Sequence, residues 1–265
     1  MAPNPGPMTL AGTNTYVVDT GPAYVIDPGP DDAQHLDAIR AAAAKPIVGA
    51  LLTHGHSDHT AGVEALGAPV LWGEVSQTDE AEAMAAALDR GRIPRLSPVS
   101  VDTDAGTTSD PPPTAGPFTV IPTPGHAADH VAFLLDGVCF CGDLVLGEGS
   151  TIVPPAAAGG SLGDYLDSLR RLAALELELL APGHGPWIAE PRRRIGDYLA
   201  HREAREHRLV AELESGQRSR ERLLALVWDD VPEPLRPAAA LAMQAHLEKL
   251  AAEERWRSLE VELTP

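Results

Sequence analysis

Leu51-Leu52-Thr53-His54-Gly55-His56-Ser57-Asp58-His59 is the stretch on which the reading of this chain turns. The apolar run Ile47-Val48-Gly49-Ala50-Leu51-Leu52 leads into it and predicts a short buried strand. Three imidazoles and a carboxylate then follow at once. A metal ion needs several lone pairs aimed at one point, and His and Asp offer them at neutral pH. His54 and His56 lie two apart, so in extended backbone they point to the same side. Asp58 and His59 come where the chain turns towards its next helix, so they address a second point nearby. The competing reading is a polar turn that is His-rich by chance, and the pattern H-x-H-x-D-H disfavours it.

Further candidate ligands recur along the chain in one setting. Pro124-Gly125-His126 follows Phe118-Thr119-Val120-Ile121, Cys141-Gly142-Asp143 follows Val138-Cys139-Phe140, and Pro182-Gly183-His184 follows Leu177-Glu178-Leu179-Leu180. Each is a His or Asp just beyond a short apolar run and beside Gly. Strand ends that deliver such residues into a shared cleft are a common way to build a site on a rigid scaffold.

In order and spacing these residues resemble the metallo-β-lactamase superfamily of zinc hydrolases, over nearly the whole chain. The finer resemblance is to the lactamase-like subgroup that includes the mitochondrial single-strand endoribonuclease. It rests on Gly12-Thr13-Asn14-Thr15-Tyr16, on Thr123-Pro124-Gly125-His126-Ala127-Ala128-Asp129-His130, on Gly142-Asp143-Leu144-Val145-Leu146-Gly147-Glu148-Gly149-Ser150-Thr151 and on Ala181-Pro182-Gly183-His184-Gly185-Pro186. The resemblance implies an α/β fold, a four-layer αββα sandwich with its metals at one edge. It also implies a catalytic domain over 1–214 and a small winged-helix-like domain over 215–265.

By the same resemblance, His54, His56 and His126 hold one metal, Asp58, His59 and His184 hold the other, and Asp143 bridges them. Two dications roughly 3.5–4 Å apart can share a hydroxide and bring its pKa to about 7. That hydroxide would attack a carbonyl carbon or a phosphorus, with Asp58 also available to orient it. Two Zn2+ ions suit the imidazole-rich set, and Fe or Mn also fits mixed nitrogen and oxygen ligation. Asp27 is expected under the metals. Asn14 is a candidate for lining the cleft, and His130 for protonating a leaving group. His35, His201, His207 and His246 are read as ordinary histidines on helix surfaces, solvated or packed.

Charge bears on the substrate. The formal net charge is −18, of which residues 1–184 carry −16 and residues 185–265 carry −2. An acidic body repels polyanions and weighs against double-stranded DNA. It leaves room for a short single-stranded RNA to enter a metal-lined cleft past Arg192, Arg193 and Arg194, beside a small-molecule substrate as the alternative. No stretch approaches the ~18 apolar residues of a membrane span, and the first residues, Met1-Ala2-Pro3-Asn4-Pro5-Gly6-Pro7, lack the pattern of a secretory signal. Cys139 and Cys141, the two cysteines, share one face of a strand, cannot easily bridge each other and are read as packing residues. A cytoplasmic location fits.

Along the chain, Tyr16-Val17-Val18 and Ala23-Tyr24-Val25-Ile26 predict a hairpin. Helices are expected over 32–44, 59–66, 78–90, 162–175, 192–213, 219–227 and 237–254, with a short strand over 256–263. Residues 102–117, rich in Asp, Thr, Gly and Pro, are expected to form an exposed loop. Three functions remain. One is a phosphodiesterase acting on single-stranded RNA. The second is a thioester or carboxylic-ester hydrolase taking a small molecule. The third is a non-catalytic metal- or nucleic-acid-binding module, which the full ligand set disfavours.

Overall fold

The computed structural model describes residues 1–75 and 112–253. The expected helix over 78–90 and strand over 256–263 lie outside these residues, as does most of the expected loop over 102–117.

Two sheets face each other. The first holds β1 (Tyr16–Asp19), β2 (Ala23–Ile26), β3 (Ile47–Leu51) and β4 (Val70–Trp72) in that order. β1 and β2 form the predicted hairpin, and β2, β3 and β4 run parallel. The second holds β5 (Thr114–Ala115), β6 (Phe118–Pro122), β7 (Val131–Leu135), β8 (Val138–Gly142) and β9 (Leu179–Pro182). It is antiparallel except for the parallel pair β8 and β9. Thr114 and Ala115 were expected in a loop, but they pair with Thr119 and Phe118. The turn that follows them lets the chain fold back into β6.

Between the sheets lie Ile26, Leu51, Phe118, Val120, Phe133 and Phe140. Burying one such side chain contributes about 1.5–3 kcal/mol. Helices cover both outer faces. α1 (Ala33–Ala42) starts at Asp32, whose carboxylate accepts from the His35 amide, and buries Leu36 and Ile39 against Val25. The single helix expected after His59 is instead two short pieces, α2 (Ser57–Thr60) and α3 (Val63–Leu66). On the other side α4 (Leu162–Ala173) buries Leu162, Tyr165, Leu166, Leu169 and Leu172 at helical spacing against the second sheet. α5 (Pro191–Glu214) adds Ile195 and Tyr198 to that core. The result is the expected four-layer αββα sandwich.

Beyond it come α6 (Arg220–Val227) and α7 (Arg236–Ala252). They enclose a separate cluster of Leu223, Val227, Trp228, Ala242, Met243 and Leu250, to which Leu209 and Leu213 of α5 also belong. α5 thus ties the last helices to the sandwich. His35 and His246 are buried rather than on helix surfaces, His35 against Thr15 and His246 against Trp228, whereas His201 and His207 are exposed.

Candidate metal centre

All seven sequence-predicted ligands meet at one end of the sandwich, each just past the end of a strand. β3 delivers His54 and His56, the start of α2 delivers Asp58 and His59, and the turns after β6, β8 and β9 deliver His126, Asp143 and His184. Their ligand atoms fall into overlapping groups, each within 4.8 Å: His54, His56 and His126; His54, His59 and Asp143; Asp58, His59 and His184. The Asp143 carboxylate lies among them. It is 3.5 Å from His59 Nε2, 3.3 Å from His184 Nε2 and 3.9 Å from His126 Nε2. Gly183 makes room for it, because a Cβ there would stand 2.2 Å from Asp143 Oδ1.

Four imidazoles are tied from behind through Nδ1, which leaves Nε2 facing the centre. His54 Nδ1 meets Thr53 Oγ1 at 3.0 Å, His59 Nδ1 meets Asp27 Oδ2 at 3.0 Å, His126 Nδ1 meets the Ile152 carbonyl at 2.9 Å, and His184 Nδ1 meets the Gly12 carbonyl at 3.3 Å. Such ties are what fix a ligating imidazole's tautomer and orientation. Asp27 lies under the cluster, as expected, and also accepts from Thr53 N and Thr53 Oγ1 at 2.8 and 2.7 Å. Thr13, which the sequence offered only as part of the Gly12–Tyr16 resemblance and with no role of its own, donates its hydroxyl to Asp58 Oδ2 at 2.9 Å and is itself held by Asn4.

The charges of the centre divide by their neighbours. Burial, then the surrounding imidazoles, pushes His54 and His130 well below the usual histidine range and His56 down to about 3. Burial acts the same way on His59 and His184, but carboxylates outweigh it. Asp58 and Asp143 hold His59 well above its ordinary value, and Asp143 brings His184 to about 10. Burial would raise the two carboxylates, but His59 and His184 bring Asp58 down to about 2 and Asp143 well below its usual range. The donor set fits a cation. His59 Nε2 and Asp143 Oδ1 are buried without a hydrogen-bond partner, and leaving such polar atoms unsatisfied costs about 1–3 kcal/mol each.

The comparisons agree with this geometry. Residues 8–184 match the metallo-beta-lactamase superfamily model, and residues 219–260 match the beta-lactamase-associated winged helix domain. The chain belongs to the metallo-beta-lactamase superfamily. It is similar to a Beta-lactamase-like protein 2 homolog of Drosophila melanogaster, at 32% identity over 96% of this chain and 87% of that one. A Beta-lactamase-like protein 2 homolog of Caenorhabditis elegans is 30% identical over 93% and 81%. Among solved structures, a metallo-beta-lactamase family protein of Thermus thermophilus superposes with a TM-score of 0.67 at 29% identity, over 95% of this chain and 92% of that one. As a metallo-beta-lactamase superfamily member with a winged-helix domain, the chain is a metal-dependent hydrolase by family.

Three expectations for this superfamily member change. His130, the candidate proton donor, is buried. Its Nε2 accepts from Asp143 N at 3.2 Å and its Nδ1 meets Thr123 Oγ1 at 2.8 Å, so both ring nitrogens are engaged and the ring braces Asp143 from behind. Asn14 does not line the cleft with its amide, which instead donates to the carbonyls of Pro182 and Gly185 and straps the His184 turn. Arg192, Arg193 and Arg194 make separate contacts. Arg192 borders a hollow with Leu172, Leu175 and Leu177, Arg193 pairs with Glu190, and Arg194 donates to the carbonyls of Leu146 and Gly149. Cys139 and Cys141 are buried free thiols turned into the core under α4, and burial pushes Cys139 up to about 12. Among the described residues no helix is long and apolar enough to cross a membrane.

Proposed function

We propose that this chain is a two-zinc phosphodiesterase that cuts short single-stranded RNA. The observation that supports the two-metal part of the proposal is the place of Asp143, whose oxygens lie 3.3–3.9 Å from His126, His59 and His184, and the RNA part rests on the resemblance at Thr13-Asn14-Thr15-Tyr16 and Leu146-Gly147-Glu148-Gly149-Ser150-Thr151. His54, His56 and His126 would hold one ion, Asp58, His59 and His184 a second, with Asp143 shared between them. Bound there, two divalent cations supply a nucleophile from water at neutral pH and polarise the scissile bond.

The chain's own residues do the rest. The Nδ1 ties hold four imidazoles in the tautomer whose Nε2 lone pair faces inward. Thr13 donates to Asp58 Oδ2 and so helps fix a carboxylate that would orient an incoming water. Dications held there would attract the oxygens of an anionic phosphodiester more strongly than the oxygen of a neutral acyl group.

The dispersal of Arg192, Arg193 and Arg194 favours a second reading, hydrolysis of a small thioester. That substrate needs no basic path across an acidic surface. Its thiolate also departs without the proton that His130 is not placed to give. The test is a panel of single-stranded RNA oligonucleotides and acyl thioesters, offered to zinc-reconstituted protein at low salt. RNA cleavage is expected. Rapid thioester turnover with no cutting of any RNA would overturn the first reading in favour of the second.

A further inference from the structure

We infer that Arg202 is a positioning residue for the metal centre, acting through the backbone of residues 146–152. The inference rests on the reading of the cluster as a metal site. The inner side of that segment touches three of the seven candidate ligands. Gly147 N donates to the His184 carbonyl at 2.9 Å, Thr151 Oγ1 donates to the Asp143 carbonyl at 2.5 Å, and the Ile152 carbonyl meets His126 Nδ1 at 2.9 Å. Its outer side is held by a stripe of α5, Arg194, Tyr198 and Arg202, spaced four apart on one helix face. Arg194 donates to the carbonyls of Leu146 and Gly149, and the Tyr198 hydroxyl accepts from Leu146 N and donates to Gly149 O.

Arg202 grips the part that matters most. Its Nη2 donates to the Thr151 carbonyl and to Ser150 Oγ, at 3.2 Å for the latter. The guanidinium is 5% exposed and stacks over the Tyr165 ring at 5.5 Å, and the Tyr165 hydroxyl donates to the Leu144 carbonyl at 2.7 Å. Charge-assisted bonds of this kind are stronger than neutral ones. Here one of them pins the peptide between Thr151, which holds Asp143, and Ile152, which holds His126. Without it that peptide is free to turn, Ile152 is no longer fixed at its amide side, and the next peptide, whose Ile152 carbonyl meets His126 Nδ1, loses its support. The His126 proton is then free to move to Nε2, where it blocks ligation. α7 closes over the same region. Its Ala245 joins the core that holds Tyr165 and Tyr198, so the C-terminal helices help keep Arg202 in place.

The test uses the full chain with Arg202→Ala, Arg202→Lys and, as a variant that leaves α5 intact, Thr151→Val. Two quantities are read: the tautomer of His126 in metal-free protein by nitrogen-resolved NMR, and zinc affinity by competition with a chromophoric chelator. Wild type should show His126 protonated at Nδ1. Arg202→Ala should show mixed tautomers and zinc binding weaker by about tenfold, the low end of the usual effect of losing a partner behind a ligand. Arg202→Lys should recover most of both, since its ammonium still reaches the Thr151 carbonyl. Thr151→Val should weaken zinc binding alone. A folded Arg202→Ala protein with the wild-type tautomer and affinity overturns the proposal, whatever its melting temperature. If that variant does not fold, Arg202→Met, which keeps the apolar stem and removes the donors, is read in its place, and the wild-type tautomer and affinity there overturn the proposal. Wild type that takes up no zinc sinks the metal reading, and the tautomer comparison still decides the role of Arg202.

Discussion

Replacing Asp27 by Asn tests how much of the centre is set from beneath. Asp27 is 2% exposed, stands at φ +50° and accepts from Thr53 N, Thr53 Oγ1 and His59 Nδ1. Asn tolerates that backbone region, so the turn survives. Its carbonyl oxygen keeps the Thr53 amide, but its NH2 group now faces His59 Nδ1 and Thr53 Oγ1. His59 must therefore accept at Nδ1 and carry its proton on Nε2. Thr53 must turn its hydroxyl round, and it then donates to His54 Nδ1 instead of accepting from it. One amide thus reverses two tautomers, in both groups of the centre. Loss of one partner behind a ligand costs about 10- to 100-fold in metal affinity, or about 1.4–2.8 kcal/mol. Two reversals place Asp27→Asn at or beyond the upper end. Asp27→Ala is different: it leaves three buried donors without an acceptor at about 1–3 kcal/mol each, enough to unfold a protein of ordinary stability. Urea unfolding should show Asp27→Asn folded and Asp27→Ala severely destabilised, and chelator competition should show the zinc loss. An Asp27→Asn protein that binds zinc at both sites as tightly as wild type refutes the tautomer argument.

Three further outcomes follow from the site and core. Protein purified without chelator should hold about two divalent ions per chain, with Asp143→Ala losing both and His184→Ala mainly one; elemental analysis that finds well under one equivalent after zinc reconstitution contradicts this. The stability of the metal-free chain should peak near pH 6.5. His184, raised to about 10, contributes stability that is complete below 6.5 and is lost as pH climbs to about 10. His56, lowered to about 3, stays neutral in the fold while the unfolded chain takes a proton, so stability falls as pH drops from 6.5 towards 3. Asp58, lowered to about 2, adds a further loss below 3.8; urea midpoints that rise from about pH 6.5 to about pH 9 would contradict the signs. A Cys139→Ala, Cys141→Ala double variant should lose roughly 1 kcal/mol per site and keep its zinc and turnover; a folded, zinc-loaded variant without activity would show a chemical role that the buried thiols give no sign of.

The seven candidate ligands were legible because they sit on the turns that follow strand ends, or in the short α2 just beyond β3, where a His or Asp stands out beside an apolar run. What braces them was not, because those contacts join residues far apart in the chain. Thr13 reaches Asp58, Thr151 reaches the Asp143 carbonyl, and Gly12 reaches His184 across 172 positions. No local pattern reports a hydroxyl or a carbonyl that finds its partner only when two sheets close. His130 was misread for the same reason. Its spacing from His126 suggested a place in the cleft, but the chain enters β7 at Val131 and buries the ring behind Asp143. Arg192, Arg193 and Arg194 read as one basic cluster in the sequence, but their contacts differ. Successive helical residues project about 100° apart, so three in a row point three ways, towards a hollow, a glutamate and a loop. The basic stripe that α5 presents to the site runs at four-residue spacing, through Arg194 and Arg202 with Tyr198 between them. It faces backbone carbonyls rather than solvent. The charge in this part of the molecule goes into holding the centre in shape.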